Sequence, residues 1–355
     1  DHAFLSAWFL CLSYVSLIPQ NATMFAHIIR VVTGDALTRS QLHYTVVGTE
    51  VYFLEIVLVV AILILIGLFA ICMKPFLQWV QTILALVLLI GIIITTAIVM
   101  PHVPLSEALN MTGTINESSI RGILSIIILA PWAFVGFEVI SLETAHFRFP
   151  VGRSWKLMSL AVIMGGFVYS ILAISSIAAH PQQYGNWQEY MGSFSNLKGI
   201  ESVPIFYALQ CVLGKTGVFI IAMTALAAVL TSIIGFYRAS ARILMNMAED
   251  HILSESFRKP TICFLFLMGL SVLISLFGRT AIAWVVDLSS FGAIVGFGYV
   301  SASVYRVYRT DGEGKRSLSV AGIIIAVCFA VAQLIPGISL FETMGPESYL
   351  LLAIW

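Results

Sequence analysis

Apolar residues in this chain come in long, nearly uninterrupted runs. VYFLEIVLVVAILILIGLFAICM (51–73) and WVQTILALVLLIGIIITTAIVM (79–100) each exceed the roughly 20 residues needed to cross hydrocarbon as a helix. Bounded by polar, Pro or Gly punctuation, such segments fall at 3–29, 46–73, 77–100, 120–147, 155–179, 216–247, 261–278, 281–307, 318–336 and 347–355. The pattern predicts an all-α polytopic membrane protein with ten spans, the last incomplete. The short, alternating segments of a membrane barrel are absent. The 216–247 segment ends in a charged, amphipathic tail, FYRASARILMNMAEDHIL. PIFYALQCVLG (204–214) predicts a helix too brief to span, lying against the outer surface.

Composition agrees. The 355 residues are 59% hydrophobic and 10% charged, with a mean hydropathy of +0.98, against about 25% charged residues in a soluble domain. Net charge is zero, so no basic surface for nucleic acid is expected. Five scattered cysteines form no CxxC or Cys/His spacing, which supports neither a disulfide framework nor a metal site. The chain is already in an apolar helix at Asp1 and ends inside another at YLLLAIW, the expectation being a fragment of a longer protein.

Charge sets an orientation. With the 74–76 loop cytoplasmic, that side carries Lys74, Arg148, Arg153, Lys156, Arg238, Arg242, Arg258, Lys259, Arg306, Arg309, Lys315 and Arg316. Arg30, Arg39, Arg121, Lys198, Lys215 and Arg279 remain for the other side, a two-to-one bias in the sense of the positive-inside rule. The loops at 31–45, 101–119 and 180–203 are then outside.

Acidic residues inside spans cost about 2.5–3.5 kcal/mol at a helix centre and call for explanation. Glu55 and Asp287 lie about two turns into their predicted spans, where a structural hydrogen bond or ion pair is an adequate reading. Glu138 is nearest the midplane, within APWAFVGFEVISLETAHFRFP (130–150). Gly136 weakens a helix by about 1 kcal/mol relative to alanine, and Pro131 frees a carbonyl one turn upstream. Segment 120–147 is therefore expected to be a discontinuous helix broken near FVGF. Broken backbone at membrane depth survives where it lines a cavity or is covered by protein, and its freed groups suit a zwitterion or ion. The alternative is a kinked helix with a buried Glu–His or Glu–Ser hydrogen bond. Trp132, Phe134 and Phe137 bracket the glycine, where packing and gating both suit an aromatic.

WAFVGFE, followed by FRFP with its proline twelve residues after the glutamate, resembles the sixth transmembrane helix of the amino acid–polyamine–organocation (APC) superfamily. ARILMNMAEDHILSESF (241–257) is similar to the exit of that family's eighth helix, and KPFLQWVQTILALVLL to the entry of the fifth. WVVDLSSFGAIVGFGYVSASVYRVYR and AFLSAWFLCLSYVSLIPQNATMFA are similar to the tenth and third. The resemblance covers essentially the whole chain. It implies a five-plus-five inverted-repeat, leucine-transporter-like fold lacking the first two helices and most of the last. Residues 1–355 would form one transporter domain, with helices 3–5 of the first repeat in 1–100, the second repeat in 120–308 and peripheral helices in 318–355.

By that resemblance, Trp132 matches the aromatic that closes over substrate from outside. Phe134, Val135, Gly136 and Phe137 match the unwound stretch whose carbonyls receive an α-amino group, and Glu138 matches an acid that senses or carries a proton. Ala145 and His146 depart from the Glu-Glu many members have there, and His146 offers a pH-responsive replacement. The lysine that some proton-coupled members carry in the fifth helix has no counterpart in the apolar stretch around Val87. Thr231 and Ser232 supply hydroxyls near the sodium ligands of related carriers but align about one turn early. The implied function is a secondary amino acid or amine transporter of the plasma or inner membrane, with no cofactor. Proton coupling or substrate exchange stands ahead of sodium. Its partners would be the lipid bilayer and a small-molecule amino acid or amine; oligomeric state is open. A neutral amino acid is preferred, since no buried arginine marks an anionic substrate and no strongly placed acid beyond Glu138 marks a cationic one. Alternatives are a polyamine or organocation carrier, a channel, or an intramembrane enzyme, the last lacking paired aspartates, HExxH or a Ser/His set within spans.

Overall fold

The computed structural model describes residues 2–34, 42–104, 117–147, 149–185, 187–193, 197, 199–308, 313–335 and 344–355. It is a helical bundle. In chain order come α1 (His2–Thr33), a hairpin of β1 (His43–Val46) and β2 (Thr49–Tyr52), α2 (Phe53–Cys72), α3 (Lys74–Val99), α4 (Glu117–Ile128) and α5 (Ala130–Phe134). A 3₁₀ segment (Phe137–His146) leads to α6 (Ser154–Ser176), α7 (Trp187–Gly192), α8 (Pro204–Leu213) and α9 (Lys215–Glu249). The last helices are α10 (Pro260–Ser275), α11 (Ala281–Val307), α12 (Glu313–Leu334) and α13 (Pro346–Ile354). Among the described residues, seven helices are long and apolar enough to cross a membrane. The expected spans at 261–278 and 120–147 are not among them: α10 has 16 residues, and the other is divided.

α1 is the axis of the bundle. Residues 11–20 are buried without interruption, because the helix is packed by α9, α11 and α2. Small residues allow the approach to α11. A Cβ on Gly292 would collide with the carbonyl oxygen of Phe9, and beside it Ser289 Oγ donates to Ser13 O at 3.1 Å. Close backbone contact of this kind replaces the hydrophobic drive that helices lack in lipid. α9 meets α3 in the same way, where Gly91 faces Thr224. Outward faces stay apolar: Leu86, Ile90 and Ile93 of α3 and Ile163 and Phe167 of α6 are exposed, as lipid-facing positions should be.

The segment expected to be helical from residue 46 is corrected at its start. Residues 43–52 form an antiparallel hairpin in which Val46 pairs with Thr49 and His43 with Tyr52. Its strands are rich in β-branched and aromatic residues, and its turn uses two positive φ angles, Val47 at 46° and Gly48 at 77°, the requirement of a tight two-residue connection. The apolar run conceals the junction because VYF suits either structure. Thr280 Oγ1 donates to Val46 O at 3.3 Å, and Tyr44 OH donates to Leu276 O. Helix α2 therefore begins at Phe53, and Glu55 lies in its first turn, not two turns deep. Glu55 is 6% exposed and pairs with Arg30 Nη1 at 3.0 Å, the structural ion pair that sequence allowed. The hairpin lies beside Thr280 and Leu276, near Arg279, while Lys74, Arg238 and Arg242 line a single cavity.

Candidate functional site

The expected break lies at Gly136. Helix α5 ends at Phe134, Val135 is extended (φ −56°, ψ 138°), and Gly136 takes φ 113°, a region disfavoured for residues with a Cβ. The chain resumes at Phe137 as a 3₁₀ helix that loses helical geometry again at Glu143. Pro131 occupies the first turn of α5, where its missing N–H costs nothing.

Glu138 closes the break. Its Oε2 accepts the Gly136 N–H at 3.0 Å, and its Oε1 accepts the Tyr14 hydroxyl at 2.8 Å. One carboxylate thus caps unwound backbone and ties it to the central helix α1. The Glu–His or Glu–Ser bond that sequence left open is replaced by a phenol from α1, while Ser141 Oγ donates to the Glu138 backbone carbonyl at 2.6 Å. Trp132 Nε1 donates to Gln20 Oε1 at 3.1 Å, a second polar tie to α1, six residues after Tyr14. The Phe236 ring of α9 completes the enclosure. It lies 5.8 Å from the Tyr14 ring, and its Cζ sits 3.5 Å from where a Cβ of Gly136 would stand.

The remaining predicted residues diverge. Phe134 turns to α6, meeting the Tyr169 ring edge-to-face at 5.6 Å above Gly165 and Gly166. Tyr169 OH also donates to Ala133 O at 2.6 Å, taking up a carbonyl near the end of α5. Phe137 packs on Phe297 of α11, with ring centroids 5.7 Å apart. Val135 contributes to the apolar packing around the buried core. Thr231 and Ser232 point apart, being adjacent on a helix. Thr231 shares a stripe with Gly235, which approaches Gln81, and with Arg238, bonded to Gln81 at 3.1 Å, so it faces α3. Ser232 lies one turn before Phe236. No described contact joins either hydroxyl to Gly136 or Glu138. Arg148 and the side chains of Ala145 and His146 lie outside the described residues. Sequence reasoning missed Tyr14, Gln20, Tyr169 and Phe236, none of which breaks a local rule.

A cavity of about 470 Å³ lies beside the 3₁₀ segment, lined among others by Glu143, Lys74, Gln78, Arg238 and Arg242. Arg242 and Glu143 pair across it at 3.3 Å.

A family model for amino acid permeases matches residues 2–348. The chain belongs to the amino acid permease family. A search of curated proteins gives no match. Membership places the permease in the APC superfamily, as an all-α, multi-pass membrane protein of a transporter family and not of an enzyme family. It also implies a small-molecule substrate. The break at Gly136 lies well inside the matched range, as do Tyr14, Gln20 and Phe236.

Proposed function

We propose that the permease is a secondary transporter that carries an amino acid or related amine by alternating access, with the substrate's amino group received at the break between Phe134 and Phe137. The observation that carries this reading is the Gly136 break, with Glu138 folded back on it and held from α1 by Tyr14. Backbone outside a helix at membrane depth exposes polar groups in a low-dielectric setting, where they bind charge strongly. A substrate ammonium arriving there competes for Glu138 with the Tyr14 hydroxyl and the Gly136 N–H. A proton on Glu138 weakens both bonds at once. Either event loosens the tie between α1 and the segment after the break, which is what a switch between outward and inward access requires.

In this reading Trp132, held by Gln20, covers the break from the outer side, and the cavity between Glu143 and Arg242 is the cytoplasmic approach. Proton coupling or exchange is preferred to sodium, because Thr231 faces α3 and not the break. Residues 1–100 are read as the remainder of the first repeat, 120–308 as the second and 318–355 as peripheral helices, and the plasma or inner membrane as the location. A neutral amino acid remains the preferred substrate.

The test is uptake of a panel of labelled amino acids into proteoliposomes carrying the full-length protein. The reading expects saturable uptake, stimulated by internal substrate, that Gly136→Leu abolishes by filling the break. Wild-type affinity in that variant, or currents at diffusive rates, would overturn it.

A further inference from the structure

The cavity of about 470 Å³ beside the 3₁₀ segment carries a surplus of positive charge. Lys74, Arg238 and Arg242 line it, and among the described lining residues Glu143 is the only carboxylate. The surplus is built into α9. Arg238 and Arg242 stand four residues apart on one helical face, with Ala241 and Met245 lining the same cavity. Like charges at that spacing repel and weaken a helix, a cost that an anion between them would relieve. Described partners offset little of it. Arg238 Nη1 donates to the neutral Gln81 Oε1 at 3.1 Å, Arg242 Nη2 pairs with Glu143 Oε2 at 3.3 Å, and no described ion pair includes Lys74. Helices α3 and α10 also begin at this wall, with Lys74 and Pro260 as their first residues, and neither has a side-chain N-cap. Helix N-termini carry partial positive charge, so both add to the field.

We propose that this cavity binds a phosphomonoester. Such a group carries a charge of about −1.5 to −2 at neutral pH and three strong acceptor oxygens, which match three cations opposed by one carboxylate. Guanidinium groups take phosphate oxygens two at a time, and a lysine ammonium adds a point charge. A carboxylate ligand, with a single charge, would leave part of the surplus standing. Leu77, Met245 and Phe264 offer apolar surface for the esterified carbon skeleton. A soluble phosphate ester and the headgroup of phosphatidic acid share this chemistry, and basic pockets between membrane helices on the cytoplasmic side suit anionic headgroups. On the reading proposed above, an occupant stands in the cytoplasmic approach and slows release of substrate. That consequence rests on that reading, whereas binding does not.

Two binding measurements on the full-length protein test this. One follows labelled glycerol 3-phosphate with the protein in phosphatidylcholine vesicles; the other follows retention of labelled phosphatidic acid over phosphatidylcholine by the solubilised protein. Saturable binding is expected in at least one, the first identifying a soluble ester and the second alone a lipid headgroup. Lys74→Gln and Arg238→Gln should each weaken it at least about tenfold, the loss of one charge-assisted hydrogen bond. Lys74→Gln breaks no described ion pair, so it reads the site if the Arg238 variant misfolds. Glu143→Gln should tighten binding by removing the carboxylate that competes for Arg242, an effect that a merely structural role would not produce. Gly136→Leu should bind as wild type does, so that failure at the break and failure here are read separately. No saturable binding in either measurement, unchanged affinity in Lys74→Gln, weaker binding in Glu143→Gln, or loss in Gly136→Leu alone would each overturn the proposal.

Discussion

Gly136 and Glu138 are the pair on which the break depends, and they fail differently when changed. Alanine at Gly136 would make only an ordinary 3.5 Å contact with Phe236, so its penalty is conformational. Holding a non-glycine residue at φ 113° should cost about 1–3 kcal/mol, measurable as a lower unfolding midpoint of Gly136→Ala in detergent. Removing the Tyr14 hydroxyl takes a donor from a buried carboxylate, and Tyr14→Phe should destabilise the protein by about 1–3 kcal/mol. A midpoint equal to wild type would mean that the bond seen here is not made. Glu138, Gly136 and Pro131 were legible in sequence because each violates what a lipid-facing helix wants. Tyr14 was not: it is an ordinary apolar-helix residue, 124 positions from its partner, and only the packing of α1 beside the break gives it a role.

At the scale of elements, the hairpin end of the bundle is held by an ion pair between α1 and α2. Breaking a fully buried pair from one side typically costs about 3–5 kcal/mol, whereas replacing both members with apolar residues is often neutral. Here Arg30 keeps 26% of its side chain exposed, so the cost is smaller. Glu55→Leu should therefore destabilise measurably, leaving Arg30 beside Arg279, while Arg30→Met with Glu55→Leu should recover most of the loss. Equal destabilisation by the single and double variants would show that no pair is formed. The α1–α11 contact gives a second prediction. Gly292→Ala forces the helices apart against the Phe9 carbonyl, with an expected loss of about 1–3 kcal/mol in the same unfolding measurement. Most helix positions and the interruption at Gly136 were readable from hydrophobic runs and a glycine. The hairpin was not, since Tyr44 to Tyr52 shares the apolar, β-branched character of the helix it precedes and only Val47-Gly48 marks the turn.

At the scale of the whole molecule, charge bias predicts which end of the bundle faces the cytoplasm. With the five cysteines replaced, Val47→Cys at the hairpin tip should react with an impermeant maleimide on intact cells, and Lys259→Cys only after permeabilisation. Labelling of both from one side would contradict the assigned orientation. Transport itself turns on whether the carboxylate at the break responds to protons or only packs. The most direct measurement is the pH dependence of saturable amino acid uptake by Glu138→Gln beside the wild type in proteoliposomes. A folded variant whose uptake no longer varies with pH is the result predicted here; a pH profile and half-saturation unchanged from wild type would contradict it.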